Sequence, residues 1–323
     1  MREYFRWETG KAYGEPLLKE EISHWLCHKE SAWESLEDKK IEPLTINQQD
    51  YDPYDADLVN LTILDQQYVY SSGLGLNCRP HFFIGKLLKH IQKDDFSIYV
   101  SGKELARDLP APPAFSLNRS IFIRRESVKR MIWEKIDEWQ LASNHNAAFE
   151  RVFSHYNLDE QLEQSLELIT DNEIESMILH ERGEIQAQAI LGDQWHSLLA
   201  DLPRSAAHFM ARAVRDHVAD CLSTLPALFA HNQEESIHFY FGNFTSLRKQ
   251  LFPLLGDHYD QWLTTGDNAR ILEFLERSCH HWTTVAHKIL ICWQQYGEQS
   301  AEAIKELVEQ HRMVSEQDML LPK

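Results

Sequence analysis

Apolar positions along the chain follow two regimes, with the change near residue 125. In the first, Leu18, Ile22, Trp25, Leu26, Trp33 and Leu36 recur at near-helical spacing behind Pro16, which suits a first helical turn, so a helix is predicted from 16 to about 37. Runs rich in β-branched and aromatic residues at 58–64, 68–70, 96–100 and 121–123 predict strands. Two short helices are expected between them. One opens after Arg79-Pro80. The other opens at Ser101, where Glu104 has the spacing of a capping box. Residues 109–113 include Pro110, Pro112 and Pro113 and read as a rigid connector.

From about Ser127 helix follows helix. Periodicity predicts members at 127–141, 144–156, 159–169, 171–200, 204–230, 233–250, 267–296 and 299–315. The clearest carries Ile271, Leu275, Cys279, Trp282, Ala286, Ile289 and Trp293 as one stripe, with Asp267 placed to cap its start. The expected fold is therefore mainly α: a small mixed α/β N-terminal region, residues 1–125, followed by a larger all-helical bundle, residues 126–323. Only 12 of the 323 residues are glycine. That is too few for the many tight strand-to-helix turns of a doubly wound sheet.

Charge changes the picture next. The net charge of −18 repels a phosphate backbone and excludes general nucleic-acid binding. Residues 79–130, however, hold eleven Lys or Arg against five Asp or Glu, which makes that segment +6 and the remainder −24. Alternation through Ile121-Phe-Ile is expected to set Arg124 beside a sheet edge. An island of this kind can meet a small anionic ligand, an acidic protein partner, or acidic helices of the same chain. The charged start Met1-Arg-Glu and the lack of an apolar run of about 18 residues predict a cytoplasmic protein with no membrane partner. Five cysteines, none in a Cys-x-x-Cys pair, fit a reducing compartment.

Three groups of residues can carry chemistry. Cys78, between Gly73-Leu-Gly75 and Pro80, is expected just before a helix start and beside Arg79. There the helix dipole and the guanidinium would favour thiolate, with His81 as a nearby base. Arg79, Arg124 and Arg125 are the candidate anion ligands. Metal candidates come from acid–histidine pairs at helical spacing: Glu21 with His24, His180 with Glu184, Glu235 with His238, and Glu276 with His280. Such pairs are no more frequent than chance predicts for this composition. His24, Cys27 and His28 cluster on the first helix in the same near-chance way. Helical geometry places His217 on the apolar face with Met210, Val214 and Cys221, where a buried imidazole needs a hydrogen bond or a metal.

Signatures of serine hydrolases, kinases, Walker-type nucleotide sites and zinc proteases do not occur. The sequence favours an interaction or regulatory module that uses an acidic helical surface and a basic segment. The alternatives are an enzyme with an anion pocket and a reactive thiol at Cys78, or a metal-binding bundle oxidoreductase.

Overall fold

The computed structural model describes residues 1–74, 80–93, 96–117, 119–142, 146–158, 160–202 and 205–320. Contacts divide the chain into two units, Met1–Leu141 with Asn157–Ile174, and Ala142–Tyr156 with Glu175–Lys323. The protein is mainly helical, with strands confined to the first unit among the described residues.

In the first unit, α1 (Arg2–Thr9) and α2 (Lys19–Glu34) precede a small hairpin, β1 (Leu44–Ile46) with β2 (Gln49–Tyr51). Residues 58–64, expected as a strand, instead belong mostly to a helix, α3 (Ala56–Ile63). The side chain of Asp55 accepts a hydrogen bond from the Leu58 amide at 3.0 Å, and Ala56, Val59, Asn60 and Ile63 share one buried face. Cap and periodicity override the β-branched composition there.

Five strands follow: β3 (Tyr68–Leu74), β4 (Pro80–Gln92), β5 (Ser97–Arg107), β6 (Ala114–Leu117) and β7 (Ser120–Arg124). Their spatial order is β3-β4-β5-β7-β6, antiparallel except for the parallel pair β5–β7. Both short helices expected after Pro80 and at Ser101 are thus strands. The registers Tyr68↔Lys86 to Leu74↔Pro80 and Phe83↔Arg107 to Gln92↔Ser97 satisfy the amides that a helix would otherwise have paired. The supposed capping box works across the sheet instead: Ser101 donates to the Ile123 carbonyl at 3.4 Å, and Glu104 binds Arg124.

Arg124 does not lie beside an edge. β7 sits between β5 and β6, and the Arg124 side chain is 0% exposed. Its Nε and Nη2 each donate to Glu104 at 2.8 Å, its Nη1 donates to Asp108 at 3.0 Å, and Phe83 lies 4.5 Å from the guanidinium carbon. α4 (Arg125–Leu141) packs on β5 and β7 through Ser127, Val128, Ile132 and Ile136.

The second unit holds α5 (Ala147–His155), the later part of α6 (Leu162–Leu191), α7 (Gln194–Asp201) and α8 (Ala206–Ala219). A single π-helical turn (Asp220–Thr224) leads into α9 (Leu225–Ala230). Then come α10 (Glu234–Asn243), α11 (Ser246–Leu251), α12 (Pro253–Thr265), α13 (Asn268–Tyr296) and α14 (Ala301–Gln310). Where a break was expected at 170, α6 runs on to Leu191 and stops at Gly192, whose φ of +75° suits glycine. Asp267 caps α13 by accepting from the Arg270 amide at 3.1 Å. Trp195, Trp282, Phe252 and Phe274 anchor the core. Close helix contact is needed at Gly242, where a Cβ would stand 2.5 Å from the Phe149 ring.

Removing one partner of a buried ion pair strands the other charge, so Glu104→Ala is expected to cost about 3–5 kcal/mol in urea unfolding. Replacing both residues, as in Glu104→Leu with Arg124→Met, is expected to recover most of that loss. A double variant no more stable than the single one would show that Arg124 does not depend on this pairing.

Candidate functional site

A cavity of about 540 Å³ opens in the first unit between α1, the segment after it, β5 and α4. Arg6, Lys11, Lys103 and Arg107 line it, with Arg125, Lys129 and Arg130 from the start of α4. Glu3, Glu126 and Glu167 are the acids among the lining residues. Trp7 and Tyr13 give it aromatic walls. Local structure sets each group. Trp7 Nε1 donates to Glu126 at 3.1 Å, and the same carboxylate oxygen accepts the Glu104 amide at 2.9 Å, so helix α1, strand β5 and helix α4 are tied at one point. Burial pushes the Glu126 pKa up, opposed by these two donors.

Most of the cations are already paired. Arg6 meets Glu3 at 3.2 Å, Lys11 meets Glu21 at 2.7 Å, Arg125 meets Glu167 and Asp171, and Lys129 meets Glu163 at 2.9 Å and Glu167 at 2.6 Å. Of the basic island, Arg124, Arg125 and Lys129 are met by acids of this chain.

Arg107 differs. Its guanidinium carbon stands 4.8 Å from the Trp7 ring centroid and 5.7 Å from that of Tyr4. The residue is only 9% exposed, and its Nη1 stands 3.7 Å from Glu104. Nε and Nη2 are buried with no hydrogen-bond partner among the described residues. These are the two nitrogens through which Arg124 grips both oxygens of Glu104. In Arg107 that fork meets no acceptor among the described residues, and burial lowers its pKa, opposed by the Glu104 charge and aided by Arg130 and Arg124. Such an edge matches the paired oxygens of a phosphate or carboxylate.

The thiol candidate cannot be placed, because Cys78 and Arg79 lie outside the described residues. His81 stands on β4 opposite Gly73, with its ring 5.1 Å from Phe115 and burial lowering its pKa. The metal candidates scatter. Glu235 pairs with His155 at 3.4 Å, whereas His238 Nδ1 shares a hydrogen bond with the Tyr259 hydroxyl at 2.9 Å. Glu276 and His280 are exposed on α13. Cys221 is buried in the π-helical turn, and burial, then Cys279 and Asp220, drives its thiol pKa up. Among the described residues no group of three or more His, Cys, Asp or Glu gathers to hold a metal ion.

His217 is buried as expected. Among the described residues neither ring nitrogen has a partner of good hydrogen-bond geometry, although the Arg248 backbone acts on the ring as a hydrogen-bonding neighbour that favours the proton. Trp282, Phe252 and Phe244 surround the ring at 4.8, 5.3 and 6.1 Å. Burial, and then the Arg248 charge, pushes its pKa down to about 3.

Together these features define a mainly α, two-unit protein with a cation-lined cavity of ligand size in its sheet-bearing unit, and among the described residues no helix is long and apolar enough to cross a membrane. Residues 1–124 match the N-terminal domain, and residues 129–311 the C-terminal domain, of the family of unknown function DUF6866. The chain belongs to that family. No match was found among curated proteins or among solved structures.

Because the native state keeps His217 neutral down to about pH 3 while the unfolded chain binds that proton near 6.5, its contribution is complete above 6.5. It is lost as pH falls, at about 1.4 kcal/mol per unit. His217→Leu is expected to flatten the stability profile between pH 6.5 and 3 relative to the parent, read by urea melts across that range. Parallel profiles would mean that His217 finds a proton acceptor in solution.

Proposed function

We propose that the chain is a binding or regulatory module whose first unit holds a small oxyanion, a phosphate ester or a carboxylate, in the cavity at Arg107. The observation that carries this reading is the buried guanidinium whose Nε–Nη2 edge has no acceptor among the described residues. A hydrogen-bonding charge left unmet in a buried site is costly, and an incoming two-oxygen anion removes that cost. Lys103, exposed at the same cavity, adds long-range attraction, while Trp7 and Tyr13 offer apolar surface to the rest of the ligand.

An acidic partner docking on the basic segment is less well supported, because Arg124 is consumed by Glu104 and Asp108 and Arg125 by Glu167 and Asp171. Cys27, Cys221, Cys279 and Cys292 are free thiols, which supports a reducing, cytoplasmic setting.

Calorimetric titration with inorganic phosphate, pyrophosphate and acetate tests the proposal. At least one of these is expected to bind saturably at one site per chain. Arg107→Met is expected to weaken it by about tenfold or more, the loss of one charge-assisted pair of about 1.5–3 kcal/mol. Saturable binding that Arg107→Met leaves unchanged, or no saturable binding by any of the three, would overturn the assignment.

A further inference from the structure

His180 on α6 faces two carboxylates. Its Nδ1 is 2.7 Å from Asp220 and its Nε2 is 3.6 Å from Glu184, one turn further along the same helix. A neutral imidazole has one N–H and one lone pair, so in either tautomer a lone pair would confront a carboxylate oxygen. Only the imidazolium presents a proton to both.

Asp220 is the first residue of the π-helical turn and its side chain is 1% exposed. It also accepts from the Tyr240 hydroxyl at 2.8 Å, from Thr224 Oγ1 at 3.1 Å and from Arg248. The approach that makes this possible depends on Gly183, three residues after His180. A Cβ there would stand 2.4 Å from the Ala219 carbonyl oxygen, so only glycine lets α6 and α8 come so close.

Charged groups surround the ring from every packed element. Glu184 faces it from α6. From α8 come Asp216 and Arg215, the latter bound to Glu184 at 2.6 Å, while Arg212 acts on Glu184 from further off. Asp220 faces it from the π-helical turn, with Tyr240 of α10 and Arg248 of α11 behind Asp220. About a third of the His180 side chain remains exposed.

We propose that His180 is a proton-operated clasp whose imidazolium ties the π-helical turn Asp220–Thr224 to α6, and that loss of this proton releases the turn. A π-helical turn holds one residue more than the α-helical turns around it, so it has a neighbouring conformation to relax into. Although burial opposes it, the charge and hydrogen bonds of Asp220 and Glu184 hold the His180 pKa well above its ordinary 6.5. The clasp is therefore fully closed below about pH 6.5 and opens as pH rises through the higher folded-state value.

Carbon–proton NMR of the histidine rings, with His180 assigned by its absence in His180→Gln, reads the site directly. Its titration midpoint is expected above 6.5 and is expected to fall in Asp220→Asn. Amide exchange over residues 220–225, corrected for intrinsic base catalysis, is expected to rise several-fold across that midpoint in the parent. In His180→Gln it is expected to be fast at all pH values, and in His180→Lys slow throughout. A midpoint at or below 6.5, or a parent exchange profile indistinguishable from that of His180→Gln, would overturn the proposal. If Asp220→Asn fails to fold, the parent's midpoint and exchange profile decide alone.

Discussion

A charge removed from water must find its opposite within hydrogen-bond reach, or the fold bears several kcal/mol of unrecovered solvation. Arg124 satisfies this in the first unit with three charge-assisted hydrogen bonds to Glu104 and Asp108. The consequence is architectural. Holding Arg124 inside requires β7 to sit next to β5, and the ladder Ser97↔Ser120 to Ser101↔Arg124 is the parallel pair that departs from an otherwise antiparallel sheet. In the second unit Asp220 plays the corresponding part with the opposite sign, gathering donors from α6, α10, α11 and its own turn. Hydrophobic burial drives both units to collapse, but it does not specify direction. These two charges bind together elements that lie far apart in the sequence, β5 with β7 and α6 with the turn at 220–224.

The same constraint explains what the sequence could and could not disclose. Apolar periodicity located the long helix 268–296 with its cap and stripe, because both signals lie within a few residues of each other. It failed where a partner lies far along the chain. Glu104 looks like the end of a capping box until Arg124, twenty residues later, is known to hold it, and residues 80–92 look like a helix start until β3 and β5 are available to pair. Residues 58–64 failed for the opposite reason. A local cap, the Leu58 amide donating to Asp55, together with the helical spacing of Ala56, Val59, Asn60 and Ile63, outweighed the strand-like composition, and that spacing was there to be read.

Site residues divide along the same line. A cationic segment at 79–130 was visible as composition, yet composition counts Arg107, Arg124 and Arg125 alike, and only three-dimensional pairing separates the one left short of acceptors from the two that are matched. No short-range signal marks Arg107. For His180 half of the environment was legible, since Glu184 has helical spacing, but Asp220 is forty residues away and its contribution needed the fold. His217 was placed correctly on its apolar face, and the surprise lies in its neighbours, which are aromatic rings instead of acceptors.

Where the pairing rule is met, as at Arg124, the charge is structural. Where it is not, the protein retains a demand that something from outside can fill, and the kind of demand identifies the kind of visitor. Arg107 has donors without acceptors among the described residues and stands beside a cavity, which is the demand that the proposed oxyanion would meet. The Asp220–Glu184 pair has acceptors converging on one imidazole, which calls for a proton. His217 lies buried inside a sheath of rings near the Arg248 charge, so admitting a proton there destabilises the fold. Two histidines of one unit thus answer pH in opposite senses: His180 favours the native state while it holds its proton, His217 while it lacks one. Both contributions are complete only near pH 6.5, the value of an unfolded imidazole: the His180 part is lost above it and the His217 part below it.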